Sequence, residues 1–157
     1  LVIYASMYGN TESAAVALAA KLRERGVKDV KVRDVSNTHV SWLISETFKY
    51  SHVVVASVTY NLGIYPLIHN YLMDMKALNL QKRTFAVIEN GTWAPKAGDL
   101  IREFLDKELK QMTVLSDELT INSHLSADKE SELDSMVDSI VDSINAEIAA
   151  AEKQTAD

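Results

Sequence analysis

Leu1-Val2-Ile3-Tyr4-Ala5-Ser6-Met7-Tyr8-Gly9-Asn10-Thr11 is the stretch that decides the fold. An apolar run passes into a short polar loop, and a helical pattern opens near Thr11. Val2 to Ser6 is too apolar to face water on one side, as expected of a strand covered on both faces. From Thr11 to Arg25, residues Ala14, Ala15, Leu18, Ala19 and Leu22 recur at helical spacing, and Gly26 ends the helix. A strand, a polar loop and a helix start form an anion-binding arrangement. The first amides of a helix have no intrahelical partner, and its dipole favours negative charge there. Ser6, Asn10 and Thr11 add side-chain donors, and Gly9 allows close approach of the backbone. No Lys or Arg lies in the loop, so neutral donors would hold a phosphate, unlike the Gly-Lys-Ser/Thr ending of a P-loop. The six residues Ser6 to Thr11 also suit an ordinary strand-to-helix turn with Thr11 as a cap, and alone they do not decide between the two.

Working outward, Asp29 to Val35 alternates apolar and polar residues and predicts a more exposed edge strand. Ser41 to Tyr50 predicts a short helix resting on Leu43, Ile44, Phe48 and Trp42. His52 to Ser57 has the composition of the most buried strand, and a polar loop, Thr59 to Gly63, follows it. Pro66 suits the first turn of a helix reaching about Leu78. Thr84 to Ile88 predicts a strand that ends in the loop Glu89 to Pro95. A helix from Lys96 or Ala97 to Met112, a strand from Val114 to Ile121 and a long helix from Ser126 to about Ala151 complete the chain. Leu133, Val137, Ile140, Ile144 and Ile148 line one face of that last helix, and its acidic residues form a solvated face. Strand and helix alternate five times. This predicts an α/β three-layer sandwich, a five-stranded parallel sheet in the order 2-1-3-4-5 with helices on both faces. Residues 1–152 form one domain in this reading, and 153–157 a frayed tail.

Bulk properties narrow the function. The 16 Lys and Arg against 22 Asp and Glu give a formal net charge of −6, which argues against nucleic acid or an anionic membrane as partner. With no cysteine, disulfides, thiolate metal sites and cysteine catalysis are excluded. No apolar run approaches the roughly 20 residues that span a bilayer, and a cytoplasmic setting is the expectation. The chain begins inside a strand without an initiator Met, so it is expected to be an excised domain or to lack a few residues. His39, His52, His69 and His124 are scattered, without metal-ligand spacing, and no Gly-x-Ser-x-Gly elbow occurs.

In such a sheet ligands bind at the carboxyl ends of the strands, beside strand one. Three loops converge there: Ser6–Thr11, Thr59–Gly63 and Asn90–Ala94. The first suits a phosphate. The others bring Tyr60, Leu62 and Trp93, which suit a flat aromatic ring, with the backbone of Asn61, Gly63, Asn90 and Gly91 near its polar edge.

Ser-Met-Tyr-Gly-Asn-Thr-Glu at 6–12 resembles the phosphate loop of the flavodoxins, and most nearly that of the flavodoxin-like domain of flavodiiron proteins (A-type flavoproteins). Ala56-Ser57-Val58-Thr59-Tyr60-Asn61 with Gly63-Ile64-Tyr65-Pro66 resembles their second flavin loop, and Asn90-Gly91-Thr92-Trp93 is similar to their third. The resemblance covers essentially the whole chain. It implies a non-covalent FMN and one-electron transfer. Ser6, Met7, Tyr8, Gly9, Asn10 and Thr11 would then hold the phosphate. Thr59, Tyr60, Asn61 and Gly63 would flank the isoalloxazine on one side, and Asn90, Gly91, Thr92 and Trp93 on the other. It also implies redox protein partners of the rubredoxin or diiron-domain kind. Two departures stand out. The four histidines cannot supply the His-rich diiron motif of those proteins, so no oxygen or nitric oxide reduction is expected on this chain alone. Glu89 occupies a place where a small residue is usual, and it either points away or opposes negative charge on the ring. Competing readings are an NAD(P)H:quinone reductase-type flavoenzyme, which needs longer insertions than this chain has, and a flavin-free interaction module. A phospho-receiver domain is disfavoured, because Ser57 and Ser6-Met7 stand where it needs acids.

Overall fold

The computed structural model describes residues 1–155. The elements in order are β1 (Val2–Ala5), α1 (Asn10–Glu24), β2 (Val32–Asp34), α2 (Val40–Lys49), β3 (His52–Tyr60) and β4 (Gly63–Ile64). Then come α3 (Pro66–Ala77), β5 (Thr84–Asn90), α4 (Ala97–Lys107), β6 (Thr113–Ile121) and, after one 3-10 turn at Ala127–Lys129, α5 (Glu130–Thr155). The sheet order is β2-β1-β3-β5-β6, every neighbouring pair parallel. This is the expected order, with β4 added as a short antiparallel partner to the end of β3.

Side-chain alternation along each strand feeds two cores. Ile3, Val53, Val55, Phe85 and Val87 pack under α2, α3 and α4, against Leu43, Ile68, Tyr71, Met75 and Ile101. Val2, Tyr4, Val54, Ala56, Ala86 and Ile88 face α1 and α5, against Ala15, Leu18, Leu133, Val137 and Ile140. The three-layer sandwich places the carboxyl ends of β1, β3 and β5 side by side, because β1 and β5 flank β3.

Several elements differ from the expectation. In α2 the core face is Leu43, Ile44 and Thr47; Trp42 is 68% exposed and Phe48 is also exposed. Thr47 can be buried because its hydroxyl donates to the Leu43 carbonyl at 2.7 Å and meets the Tyr71 hydroxyl at 2.7 Å. Helix α4 stops at Lys107, five residues before the expected Met112; Gln111 takes a φ of 55° as the chain turns into β6. The segment 59–63 is a hairpin rather than a loop. The last helix outruns the sheet, so Ile148 is exposed although it continues the apolar stripe. That helix runs on through Lys153 to Thr155; the rest of the expected tail, 156–157, lies outside the described residues.

Candidate cofactor site

Residues 6–9 join β1 to α1. Ser6 Oγ accepts from the Gly9 amide at 3.0 Å and folds the loop back on itself. Gly9 sits at φ 86° as the residue before the helix, a region that costs a side chain free energy. The first helical bond runs from Ser13 N to Gly9 O at 2.9 Å. The amides of Asn10, Thr11 and Glu12 come before it, and no side chain caps this helix. Other helix starts are closed differently: His39 Nδ1 accepts from Ser41 N at the start of α2, and α3 opens on Pro66. Helix α1 therefore presents open donors and its positive dipole end to the loop. Glu12 does not oppose an anion directly, because its carboxylate is turned to the Tyr4 hydroxyl at 3.1 Å. Burial, with that bond second, pushes the Tyr4 hydroxyl up to about 12.

Strand β3 continues to Tyr60 and reverses in two residues. Asn61 and Leu62 both take positive φ, 48° and 57°, as a type I′ turn requires. Thr59 pairs with Ile64 and Tyr60 with Gly63. The turn lifts Leu62 into solvent. Tyr60 leans on Tyr65, ring centroids 6.1 Å apart and edge to face.

Strand β5 ends in Glu89 and Asn90, which point to opposite faces. Asn90 is buried toward α1. Its Nδ2 donates to Thr11 Oγ1 at 3.1 Å and to the Ser123 carbonyl at 3.0 Å, and its Oδ1 accepts from Ser123 N at 3.1 Å. Thr11, 1% exposed, thus meets β5 with its hydroxyl, leaving its backbone amide at the helix start. Glu89 lies on the other face. Its carboxylate accepts from Gly98 N at 2.9 Å and from Thr120 Oγ1 at 2.8 Å, directed at the start of α4 and outside the lining of the three-loop cleft. Of the two orientations open in the sequence, Glu89 has the one that points away.

The three loops enclose one cleft of about 310 Å³. Met7, Tyr8, Asn10, Thr59, Asn90, Gly91, Thr92 and Trp93 line it. Of the other residues expected at a ligand, Ser6, Gly9 and Thr11 shape the first loop, and Tyr60, Asn61 and Gly63 form the hairpin; none of these six lines the cleft. Leu62, Val58, Ala94 and Ser123 complete the lining. Ser123 was not anticipated, although it follows β6 at the same end of the sheet as the Asn90 loop. Among the described residues no charged side chain lines the cleft. Trp93 is 97% exposed, and Tyr8 is nearly as free. Apolar and aromatic walls on two sides, with open amides at a helix start on the third, are a donor set that fits a flat aromatic ring carrying a phosphate. Among the described residues no group of three His, Asp or Glu is placed to hold a metal ion, and no helix is long and apolar enough to cross a membrane.

Comparison with known proteins agrees with this geometry. The family profile for flavodoxin matches residues 2–133. A curated relative, the rubredoxin-oxygen oxidoreductase of Megalodesulfovibrio gigas, is 30% identical over 105 residues, which is 67% of this chain and 26% of that protein. Among solved structures, the rubredoxin oxygen:oxidoreductase from Desulfovibrio gigas superposes with a TM-score of 0.86 at 25% identity, covering 94% of this chain and 36% of that one. The flavodiiron protein from Giardia intestinalis superposes with a TM-score of 0.81 at 23% identity, covering 97% and 36%. The chain thus spans about a quarter of the length of the curated relatives it matches.

Proposed function

The chain belongs to the flavodoxin family, and from that premise we propose that it binds FMN non-covalently in the three-loop cleft and serves as an electron-transfer domain. The observation that carries the proposal is the uncapped start of α1 opening beside a cleft walled by Leu62 and Trp93. The backbone amides of residues 10–12 hold the phosphate, with the Ser6 hydroxyl and Asn10 beside them. Leu62 and Trp93 take the two faces of the ring, and the backbone at Thr59 and Gly91 meets its polar edge. When bound, FMN supplies the redox chemistry, accepting and releasing electrons. The protein binds and orients it and keeps charged side chains out of the cleft lining.

The acceptor in this reading is a diiron centre on another domain or chain, a reading supported by the superposition on a flavodiiron protein of which this chain covers 36%. The donor is a small redox protein of the rubredoxin type. A fluorescence titration with FMN tests the binding. Flavin emission should fall on binding, and Trp93→Ala should weaken the quenching. FMN that keeps its free emission in the presence of micromolar protein would refute the proposal. Reduction of the loaded chain by reduced rubredoxin, followed by stopped flow, tests the donor.

A further inference from the structure

Two side chains from neighbouring strands close the start of α4. Glu89 shares a strand face with Val87, which packs in the core under α4. Its Oε2 accepts from Gly98 N at 2.9 Å and its Oε1 from Thr120 Oγ1 at 2.8 Å. Thr59 Oγ1, from the end of β3, accepts from Lys96 N at 3.1 Å and Ala97 N at 3.2 Å. Three successive amides at the start of α4 are thus taken by residues distant in sequence. Both glycines involved make room for this. A Cβ on Gly98 would lie 2.7 Å from Glu89 Oε2, and a Cβ on Gly91 would lie 3.2 Å from Thr59 Oγ1 and 3.0 Å from Pro95 Cα. At its other end the same loop is tied by Gly91 N to the Ile121 carbonyl at 3.1 Å. The peptide carrying Trp93 is therefore pinned on both sides, although Trp93 itself makes little contact with the protein.

We propose that Glu89 is a positioning residue for the flavin: with Thr59 it anchors the start of α4, and so holds the loop 91–96 and Trp93 in the ring-binding arrangement before any ligand arrives. This rests on the FMN reading given above. Glu89 need not touch the ring. It acts because a loop ordered in advance loses less conformational freedom on binding. Asp or Glu beside a helix start is also stabilised by the dipole, so the anchor suits a carboxylate.

The test compares the wild type with Glu89→Ala, Glu89→Gln and Thr120→Val. Three quantities are read: FMN affinity by fluorescence, exchange of the Gly98 amide by NMR, and Trp93 anisotropy in a Trp42→Phe background without FMN. Glu89→Ala should expose the Gly98 amide, lower the anisotropy and weaken FMN about tenfold, the factor that loss of a helix cap implies. Glu89→Gln should restore all three to near wild type, because its carbonyl can accept from Gly98 and its amide can donate to the Thr120 hydroxyl. If Glu89→Ala does not fold, Thr120→Val decides, with about a threefold weakening expected for one lost hydrogen bond. Unchanged FMN affinity in Glu89→Ala, or in Thr120→Val, overturns the proposal. So does a Glu89→Gln variant that binds as weakly as Ala while Gly98 stays protected, since charge alone would then be acting. A wild type that binds no FMN overturns the functional reading and this inference together. A wild type that binds it, with Glu89→Ala equal to it, overturns this inference alone.

Discussion

Asn90→Ala should cost the protein about 3 kcal/mol of stability before any ligand is considered. The side chain makes three hydrogen bonds, two donated by Nδ2 to Thr11 Oγ1 and the Ser123 carbonyl and one accepted from Ser123 N, and it is 4% exposed. Each such bond contributes about 1 kcal/mol net, and a partner left unpaired costs as much again unless water reaches it. The cleft borders this position, so water can enter and hold the cost near the simple sum. Asn90 also links the first turn of α1 to Ser123, whose φ of 80° is unfavourable for a residue with a side chain. Urea unfolding at constant m-value measures the loss. Asn90→Asp is the sharper variant. It keeps the acceptor for Ser123 N but turns a carboxylate oxygen toward the Ser123 carbonyl. Its ionisation is therefore disfavoured in the folded state. The folded pKa rises above the unfolded value of about 4, and stability should fall as pH rises through that value. A loss below about 1 kcal/mol for Asn90→Ala, or an Asn90→Asp variant whose loss relative to the wild type is no greater at pH 7 than at pH 4, would refute this account of Asn90.

Leu62→Gly should stabilise the chain by about 0.5–1 kcal/mol, because Leu62 occupies a left-handed φ of 57°, and should weaken FMN several-fold, because it removes one wall of the cleft; chemical denaturation and the fluorescence titration read the two effects. Burial pushes the Tyr71 hydroxyl well above its ordinary range, so it stays neutral and depends on Thr47 for a partner. Thr47→Val should cost about 2 kcal/mol and Tyr71→Phe about 1, and the double variant should cost at least about 0.5 kcal/mol less than their sum in a double-mutant cycle. His52 is buried between Ser51 and Ser143 at 2.8 and 2.9 Å. Burial lowers its pKa below the ordinary 6.5, opposed by Glu147. The unfolded chain then takes up the proton first, so stability is complete above about pH 6.5 and declines below it. Urea midpoints between pH 7 and 5 should show this slope, and His52→Gln should flatten it; an unchanged slope would exclude His52 as its source.

The layers and the strand order were legible because they depend on properties that repeat along the chain: apolar runs of strand length, helical spacing in α1, and regular alternation between the two. Features that depend on one distant partner were not. Thr47 reads as polar, and its burial while Phe48 stays outside rests on the Leu43 carbonyl one turn back together with the hydroxyl of Tyr71, twenty-four residues on. The hairpin at 59–64 was hidden by Leu62, since turn chemistry calls for Gly or Asn at that φ. The direction of Glu89 was within reach of the sequence, because it lies two residues beyond Val87 and must share its face. What no local reading supplies is the target of a polar side chain. Thr11, Thr59 and Asn90 sit in the loops where donors to a ligand are expected, yet their side chains bond to neighbouring loops, Thr11 with Asn90, Thr59 with the start of α4, Asn90 with Ser123. A donor aimed at a ligand and a donor aimed at the next loop have the same composition and the same place in the chain. The distinction matters for mutagenesis. Substituting these three should lower stability and FMN affinity together, whereas Trp93→Ala should lower affinity alone, because the Trp93 side chain is almost wholly in solvent in the free protein. A Trp93→Ala variant that loses stability in step with affinity would contradict that division.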